Sequence, residues 1–248
     1  MTISPDAVET LALRAERPRA ARLKSSSPDE IIEFRDAHGI YWRVRPDWFE
    51  RLQSSANQSS QLPPATSSLP IAEWIAAPTT KVVKHGPHRT VYRIVIDGAT
   101  VYLKHDRVLR WTDVVRRIFK ASPSRREWFN SLTLARRGVS TIHPIAFGET
   151  IRSGVVRDSY FLSLEIPHSE QLDVYLIRSL ERRGATEDAA RRRELIVALA
   201  ELCVRCHEAG VDHQDFHSGN ILIQTSADGS APPRLFLIDL PAVAFRRP

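Results

Sequence analysis

The sequence predicts an α+β fold in which an antiparallel sheet precedes a helical region. Three short runs rich in β-branched residues, joined by tight turns, lie at 80–84, 90–96 and 99–104. Apolar residues then recur at helical spacing over 125–137 and 187–209. Strand patterns that come first and helix patterns that follow favour separate sheet and helix layers over a regular βαβ alternation.

The composition indicates a globular chain with a moderate positive charge. Its 248 residues are 42% hydrophobic, which is enough for a substantial core in one large domain or two small ones. The net charge of +6 is compatible with an anionic partner such as a nucleotide, a phosphorylated glycan, a membrane surface or a nucleic acid. Because no signal-peptide pattern is present and no apolar run approaches the ~20 residues of a membrane helix, we expect a cytoplasmic protein.

Shifts in composition divide the chain into five segments. Residues 1–30 are rich in alanine, arginine and serine and predict a disordered tail, whereas 31–52 predict a short hairpin. Serine and proline dominate 53–70, as in a linker. We assign 71–166 to a lobe built on the sheet and 167–248 to a partial helical lobe, with a hinge at the proline that begins it.

Lys104 and Glu127, which lie in and just after the predicted sheet, are candidates for a functional role. The turn after the first strand contains a single glycine, Gly86, and Lys104 ends the third strand, so the ammonium group could lie beneath this turn. Ser124 is the predicted N-cap of the next helix, which places Glu127 in its first turn. An acid there either complements the helix dipole or has a functional role, and the pattern leaves both open.

A basic segment at 107–125 combines arginines with large apolar residues. One interpretation is an ordinary helix with a buried stripe and a solvated face. The other is a basic amphipathic element that meets an anionic lipid or a phosphorylated sugar. The sequence does not choose between them.

The two cysteines form the string Cys203-Val-Arg-Cys206-His207, which matches the attachment pattern of c-type haem. The string lies inside a stretch of helical periodicity that begins near Thr186 and stops at Gly210. We therefore predict two buried helical cysteines and no haem.

The stretch after this helix carries the chemistry. Asp215 precedes Asn220 by five residues, and Asp239 follows the second of two short apolar strands, 221–224 and 234–238. If these strands pair antiparallel, Asn220 and Asp239 meet at one end of the hairpin, with Asp215 on the adjacent loop. Amide and carboxylate oxygens suit Mg²⁺. Phosphoryl transfer needs little beyond a metal, a cation on the phosphates and an acid that orients the attacking hydroxyl.

Three histidines allow another interpretation, in which His207, His213 and His217 bind the metal of a hydrolase. We favour a structural role for His213, whose ring would hydrogen-bond nearby backbone. The loop and the hairpin already account for its position.

The string His213-x-Asp215-x-x-x-x-Asn220 resembles the catalytic loop of protein kinases, and Asp239 stands where their metal-binding Asp-Phe-Gly aspartate stands. This resemblance implies a two-lobed protein-kinase-like fold with an antiparallel-sheet N-lobe and a helical C-lobe. It also implies that Asp215 is the catalytic base and that Asn220 and Asp239 hold Mg²⁺ beside ATP.

The resemblance extends to the predicted sheet. Lys104 would pair with the phosphates of ATP and would be held by Glu127. Gly86 would lie in the phosphate-binding turn, and Glu165 would face adenine through its backbone. Gln214 replaces an arginine that is frequent in protein kinases, which suits a small-molecule or glycan kinase.

Stretches at 126–139, 144–149 and 213–217 look like the lipopolysaccharide core kinases, the heptose and Kdo kinases of bacterial envelopes. That similarity covers about residues 80–240. It implies ATP-dependent phosphorylation of an inner-core sugar hydroxyl, with lipopolysaccharide or another glycan as the acceptor and no nucleic acid partner. It also implies a position at the cytoplasmic face of the inner membrane, peripheral to an anionic surface.

Two alternatives remain open. The loop also resembles aminoglycoside- and choline-type kinases, and a protein acceptor fits the same chemistry. Only nine residues follow Asp239, whereas kinases continue with more helices. We therefore expect a C-terminally truncated helical lobe, which leaves open a pseudokinase that binds nucleotide without turnover.

Overall fold

The computed structural model describes most of the chain. The described residues are 30–57, 68–107, 121–181, 186–226 and 231–246. The predicted tail up to residue 29, most of the predicted linker and most of the basic segment 107–125 lie outside these ranges. Within them, no helix is both long enough and apolar enough to cross a membrane.

Seven strands form one antiparallel sheet in the order β1-β2-β6-β7-β5-β4-β3. Their bounds are Ile32–Arg35 (β1), Ile40–Val44 (β2), Lys81–His85 (β3), Arg89–Ile96 (β4), Ala99–Arg107 (β5), His143–Arg152 (β6) and Val155–Leu164 (β7). The predicted meander is β3-β4-β5, and Asp97 and Gly98 form its second turn with φ of 47° and 73°, as the mirror-image turns of hairpins require. The expected α+β class with an antiparallel sheet is confirmed.

The N-terminal hairpin belongs to this sheet and is not a separate unit, contrary to the predicted boundary at residue 52. Strand β2 pairs with β6, so that Trp42 lies opposite Gly148. A side chain at Gly148 would meet the Trp42 ring at 2.7 Å, and the indole N–H donates to Asp36 Oδ2 at 2.9 Å. The first residues of the predicted linker are also helical, since α1 spans Pro46–Asn57.

The sheet separates two hydrophobic cores because side chains alternate across it. On one face, α1 and α2 (Ile71–Ala76) cover residues such as Leu103 and Leu162. On the other face, Phe161 packs with residues of the helical region. Lys104 follows Leu103 and therefore projects toward this second face.

Helix α3 spans Pro123–Arg136 and is capped by Ser122, not by Ser124 as predicted. The Ser122 hydroxyl accepts a hydrogen bond from Arg125 N at 3.0 Å, and Pro123 fits the first turn because it has no N–H to satisfy. Ser124 instead donates to Asp106 Oδ2 at 3.3 Å. Because the helix begins earlier, Glu127 lies beyond its first turn and not within it as predicted, and its side chain is fully buried.

After β7, the described residues form two α-helices and five short strands. Its elements are β8 (Ser169–Gln171), α4 (Leu172–Glu181), α5 (Thr186–Glu208), β9 (Val211–His213), β10 (Ile221–Gln224), β11 (Arg234–Leu237) and β12 (Val243–Phe245). Helix α5 confirms the predicted 187–209 helix. It contains a half-buried Cys203 and a buried Cys206 as free thiols, and burial raises the pKa of Cys206 to about 11.

Candidate active site

The hairpin β10–β11 brings the predicted acid and amide residues together. The two strands are antiparallel, with Ile221 opposite Leu237, and Ile238 N donates to the backbone oxygen of Asn220 at 3.0 Å. Asp239 is the next residue along the chain. The sequence argument for this end of the hairpin is therefore confirmed at the level of the backbone.

The side chain of Asn220 holds the loop that carries Asp215. Its Nδ2 donates to the backbone oxygen of Asp215 at 2.9 Å and to Asp215 Oδ2 at 3.1 Å. Asn220 itself is buried. Because both contacts use the amide nitrogen, the carbonyl oxygen of the same amide faces away from Asp215.

Asp215 stands on the surface of this loop, with 61% of its side chain exposed. The His217 ring lies beside it, with Nε2 at 3.6 Å from Asp215 Oδ1. Beneath the loop, His213 Nδ1 accepts a hydrogen bond from Asp215 N at 3.3 Å, the structural contact expected for this histidine. The Asp215 carboxylate is thus held at its base and open to an incoming group.

The proposed metal ligands of a hydrolase do not assemble around these histidines. In the parts of the chain that the structure describes, no three or more His, Cys, Asp or Glu side chains are grouped so as to hold a metal. His217 instead accepts from Gly219 N at 3.1 Å through Nδ1. The oxygen pair of Asn220 and Asp239 is a different kind of site, with fewer protein ligands.

Lys104 and Glu127 form a buried ion pair near Asp239. Nζ of Lys104 lies 2.5 Å from Glu127 Oε1, with 14% and 1% of the two side chains exposed. Burial raises the pKa of Glu127, and the charges of Lys104 and Arg89 oppose that rise. Glu127 Oε2 has no hydrogen-bond partner among the described residues.

Helix α3 also contacts the segment that follows Asp239. One turn after Glu127, Asn130 Nδ2 donates to the backbone oxygens of Leu240 at 2.8 Å and Val243 at 3.0 Å. Beyond that point, β12 pairs with β9 next to the loop of Asp215. The helix that holds Lys104 through Glu127 is therefore tied directly to the Asp239 segment.

Asp239 adopts a left-handed conformation, with φ 56° and ψ 55°, which aspartate tolerates better than most residues. Its Oδ1 accepts from Arg89 Nη1 at 2.8 Å. Although burial acts in the opposite direction, the charges of Lys104 and Arg89 hold the pKa of Asp239 below its ordinary value. The carboxylate is ionised and is surrounded by cations.

Gly86 and Glu165, which were predicted to lie beside the nucleotide, both use their backbone N–H groups within the protein. Gly86 N donates to Arg89 O at 2.9 Å and so closes its own turn. Glu165 N donates to Thr100 O at 3.0 Å, and its carboxylate accepts from Arg93 at 2.7 and 2.9 Å. The contacts of these two residues with a nucleotide stay predictions, and Glu165 also has an ion pair with Arg93 that the sequence did not indicate.

The sequence model of the lipopolysaccharide kinase (Kdo/WaaP) family matches residues 80–246. The chain belongs to this family. The match spans the sheet from β3 onward, helix α3 and the complete hairpin with its loop, so every site residue described above lies within it.

Individual proteins are also similar to this chain. The lipopolysaccharide core heptose(I) kinase WaaP of Pseudomonas aeruginosa is 27% identical over 173 residues, which are 68% of this chain and 63% of the relative. The chain thus spans less than two thirds of that relative's length. Among solved structures, a WaaP in complex with acyl carrier protein is 26% identical at a TM-score of 0.48, over 67% of this chain and 62% of the other. The BubR1 kinase domain is 14% identical at a TM-score of 0.47, over 97% and 58%.

One residue of this family member was absent from the predicted site. Arg89 bridges Asp239 and Asp106, donating through Nε to Asp106 Oδ1 at 2.7 Å. The contact with Asp106 could have been predicted from the sequence, because a two-residue turn at Asp97 and Gly98 places Arg89 opposite Asp106. The contact with Asp239 could not, since it joins residues 150 positions apart.

Proposed function

We propose that this chain is a kinase that transfers the terminal phosphoryl group of ATP to a sugar hydroxyl of the lipopolysaccharide core. The observation that supports this most directly is that the Lys104–Glu127 ion pair lies near Asp239, whose segment is joined through Asn220 to the loop of Asp215. Membership of the lipopolysaccharide kinase family points to the same reaction.

Asn220 and Asp239 fit a Mg²⁺ ion. The amide nitrogen of Asn220 is taken by Asp215, which leaves a carbonyl oxygen, and the lowered pKa of Asp239 keeps its carboxylate charged. Two hard oxygen ligands from the protein are typical of a magnesium site completed by phosphate oxygens and water. When bound, the ion would neutralise charge on the transferring phosphoryl group.

Lys104 supplies a fixed positive charge for the donor phosphates. Glu127 holds its ammonium group in place, and burial of the pair reduces solvent screening of that charge. The exposed Asp215 carboxylate orients the acceptor hydroxyl and takes its proton. The hydroxyl oxygen then bonds to the terminal phosphorus while the bond to the β-phosphate oxygen breaks, which leaves a sugar phosphate and ADP.

The family and the charge support the proposed acceptor class and location. A lipopolysaccharide core sugar is the acceptor named for the Pseudomonas aeruginosa relative. A net charge of +6 suits an anionic acceptor and the anionic cytoplasmic surface of the inner membrane, where the chain would act peripherally.

The test is Mg²⁺-dependent transfer of labelled phosphate from ATP to purified lipopolysaccharide core. Asp215→Asn is expected to lower the rate by about 10²–10⁴-fold, the usual contribution of a positioned base. Asp212→Asn is the matched control, because Asp212 lies three residues away and pairs with Arg246 at 3.0 Å. Equal transfer by Asp215→Asn and wild type would refute the assigned base. Label on an aminoglycoside, choline or protein, but not on the lipopolysaccharide core, would show that the acceptor is not the core sugar but the labelled compound.

A further inference from the structure

Arg89 is placed to act on the phosphates of the donor. In the β4–β5 pairing, Arg89 lies opposite Asp106, and Val91 lies opposite Lys104. Residues 89 and 91 share one face of β4, and residues 104 and 106 share one face of β5, because side chains alternate along a strand. Arg89 is therefore on the same face of the sheet as Lys104, toward the turn that contains Gly86.

One end of the Arg89 guanidinium is firmly anchored. Nε lies 2.7 Å and Nη2 3.5 Å from the Asp106 carboxylate, of which only 6% is exposed. Asp106 in turn accepts from the Ser124 hydroxyl at 3.3 Å. A buried carboxylate with two donors fixes the guanidinium plane beside Asp239.

The other end of the guanidinium occupies a proposed metal ligand. Nη1 lies 2.8 Å from Asp239 Oδ1, so Arg89 and a divalent cation would compete for one carboxylate. A triphosphate changes this balance, because its oxygens accept from a guanidinium as well as a carboxylate does. Nη1 can then move from Asp239 to phosphate while Nε stays on Asp106.

The turn before β4 makes such a side-chain cation useful. In a glycine-rich loop, backbone N–H groups cover the phosphates, but here the N–H of Gly86 is used within the turn. A fixed arginine next to this turn can replace part of that contact.

We propose that Arg89 is a phosphate-binding residue of the donor site which, without nucleotide, occupies the metal-binding carboxylate of Asp239. The inference rests on the proposed kinase function and deepens it. Arg89 would then affect the two ligands in opposite ways. The metal alone must displace the guanidinium from Asp239, whereas the metal with nucleotide provides the guanidinium with phosphate oxygens as a new partner.

The experiment measures two affinities of the full chain and of Arg89→Gln. Binding of Mn²⁺ alone is followed by electron paramagnetic resonance, and binding of a fluorescent ATP analogue with Mg²⁺ is followed by titration. The variant is expected to bind Mn²⁺ alone more tightly and the nucleotide about tenfold or more weakly, since a hydrogen bond to a charged group is lost. Opposite signs are the signature, because a merely structural arginine would weaken both.

Arg51→Gln is the matched control. Arg51 makes a similar ion pair with Asp97 at 2.8 Å, but on the surface, and its loss should change neither affinity. Arg89→Lys retains the positive charge but lacks the planar set of N–H donors of a guanidinium. It should shift both affinities in the same directions as Arg89→Gln, by smaller factors. It therefore replaces Arg89→Gln if the glutamine variant fails to fold.

The outcomes separate this inference from the proposed function. If wild type binds both probes and transfers phosphate, while the Arg89 variants leave both affinities unchanged or weaken both, the role of Arg89 is refuted and the kinase stands. If wild type binds neither probe, the proposed function itself fails.

Discussion

Replacing Lys104 with methionine should destabilise the fold as well as abolish phosphoryl transfer. Glu127 is 1% exposed and Lys104 14% exposed, and removal of one partner of a buried ion pair costs about 3–5 kcal/mol. We expect the lower end, about 3 kcal/mol, because Arg89 remains as a second positive charge acting on Glu127. The double variant Lys104→Met/Glu127→Gln should recover most of the lost stability but none of the activity.

The loss of stability should depend on pH with a defined sign. Burial already raises the pKa of Glu127, and without Lys104 this pKa rises further. A carboxyl group with a raised folded pKa contributes stability that is fully present below its unfolded pKa and is lost as pH rises through the folded pKa. The free energy of unfolding of Lys104→Met should therefore fall from pH 5 toward pH 8, by up to about 1.4 kcal/mol per pH unit.

Urea unfolding at pH 5 and pH 8 provides the measurement. Lys81→Met is the control, because Lys81 is an exposed lysine on β3 and its replacement should change the free energy of unfolding by less than about 0.5 kcal/mol. Either an unfolding midpoint at pH 8 equal to that of wild type, or a loss of the same size at both pH values, would refute the reasoning about the buried pair.

Two further predictions concern the scaffold. Gly148→Ala should cost about 1–3 kcal/mol through overpacking, because the added Cβ would lie 2.7 Å from the Trp42 ring; thermal unfolding checks this, and an unchanged melting temperature would contradict it. Ser122→Ala should cost about 1 kcal/mol or more, since it removes the cap of α3 and a 2.6 Å hydrogen bond to the buried Glu149. Thermal unfolding checks this as well, and an unchanged melting temperature of Ser122→Ala would contradict the assigned cap.

Asp239 has several positively charged side chains near it before any ligand is present. Lys104, Arg89 and Lys84 all lower the pKa of Asp239, so this carboxylate stays ionised across the neutral range. The same cations are suited to a triphosphate, which carries its own negative charge. The positive charge around Asp239 thus favours binding of a nucleotide together with its metal over binding of the metal alone.

The sequence by itself determined those parts of the protein that depend on local patterns. Alternation and turn residues specified the β3-β4-β5 meander, and the turn at Asp97 and Gly98 fixed its register. Apolar runs indicated β10 and β11, and their antiparallel pairing, which the sequence left as a condition, brings Asn220 toward Asp239. The two-residue turn of the meander allows only one register, so the positions of its nearby residues follow from counting along the chain.

The tertiary structure alone decided the contacts between distant segments. The joining of β2 to β6 and the bond from Arg89 to Asp239 bring together residues about a hundred or more positions apart, and no local period encodes them. The cap of α3 was also misassigned from sequence, since Ser122 and Ser124 both satisfy the local rule. In the folded protein Ser122 caps the helix, while the Ser124 side chain is used in a tertiary contact with Asp106.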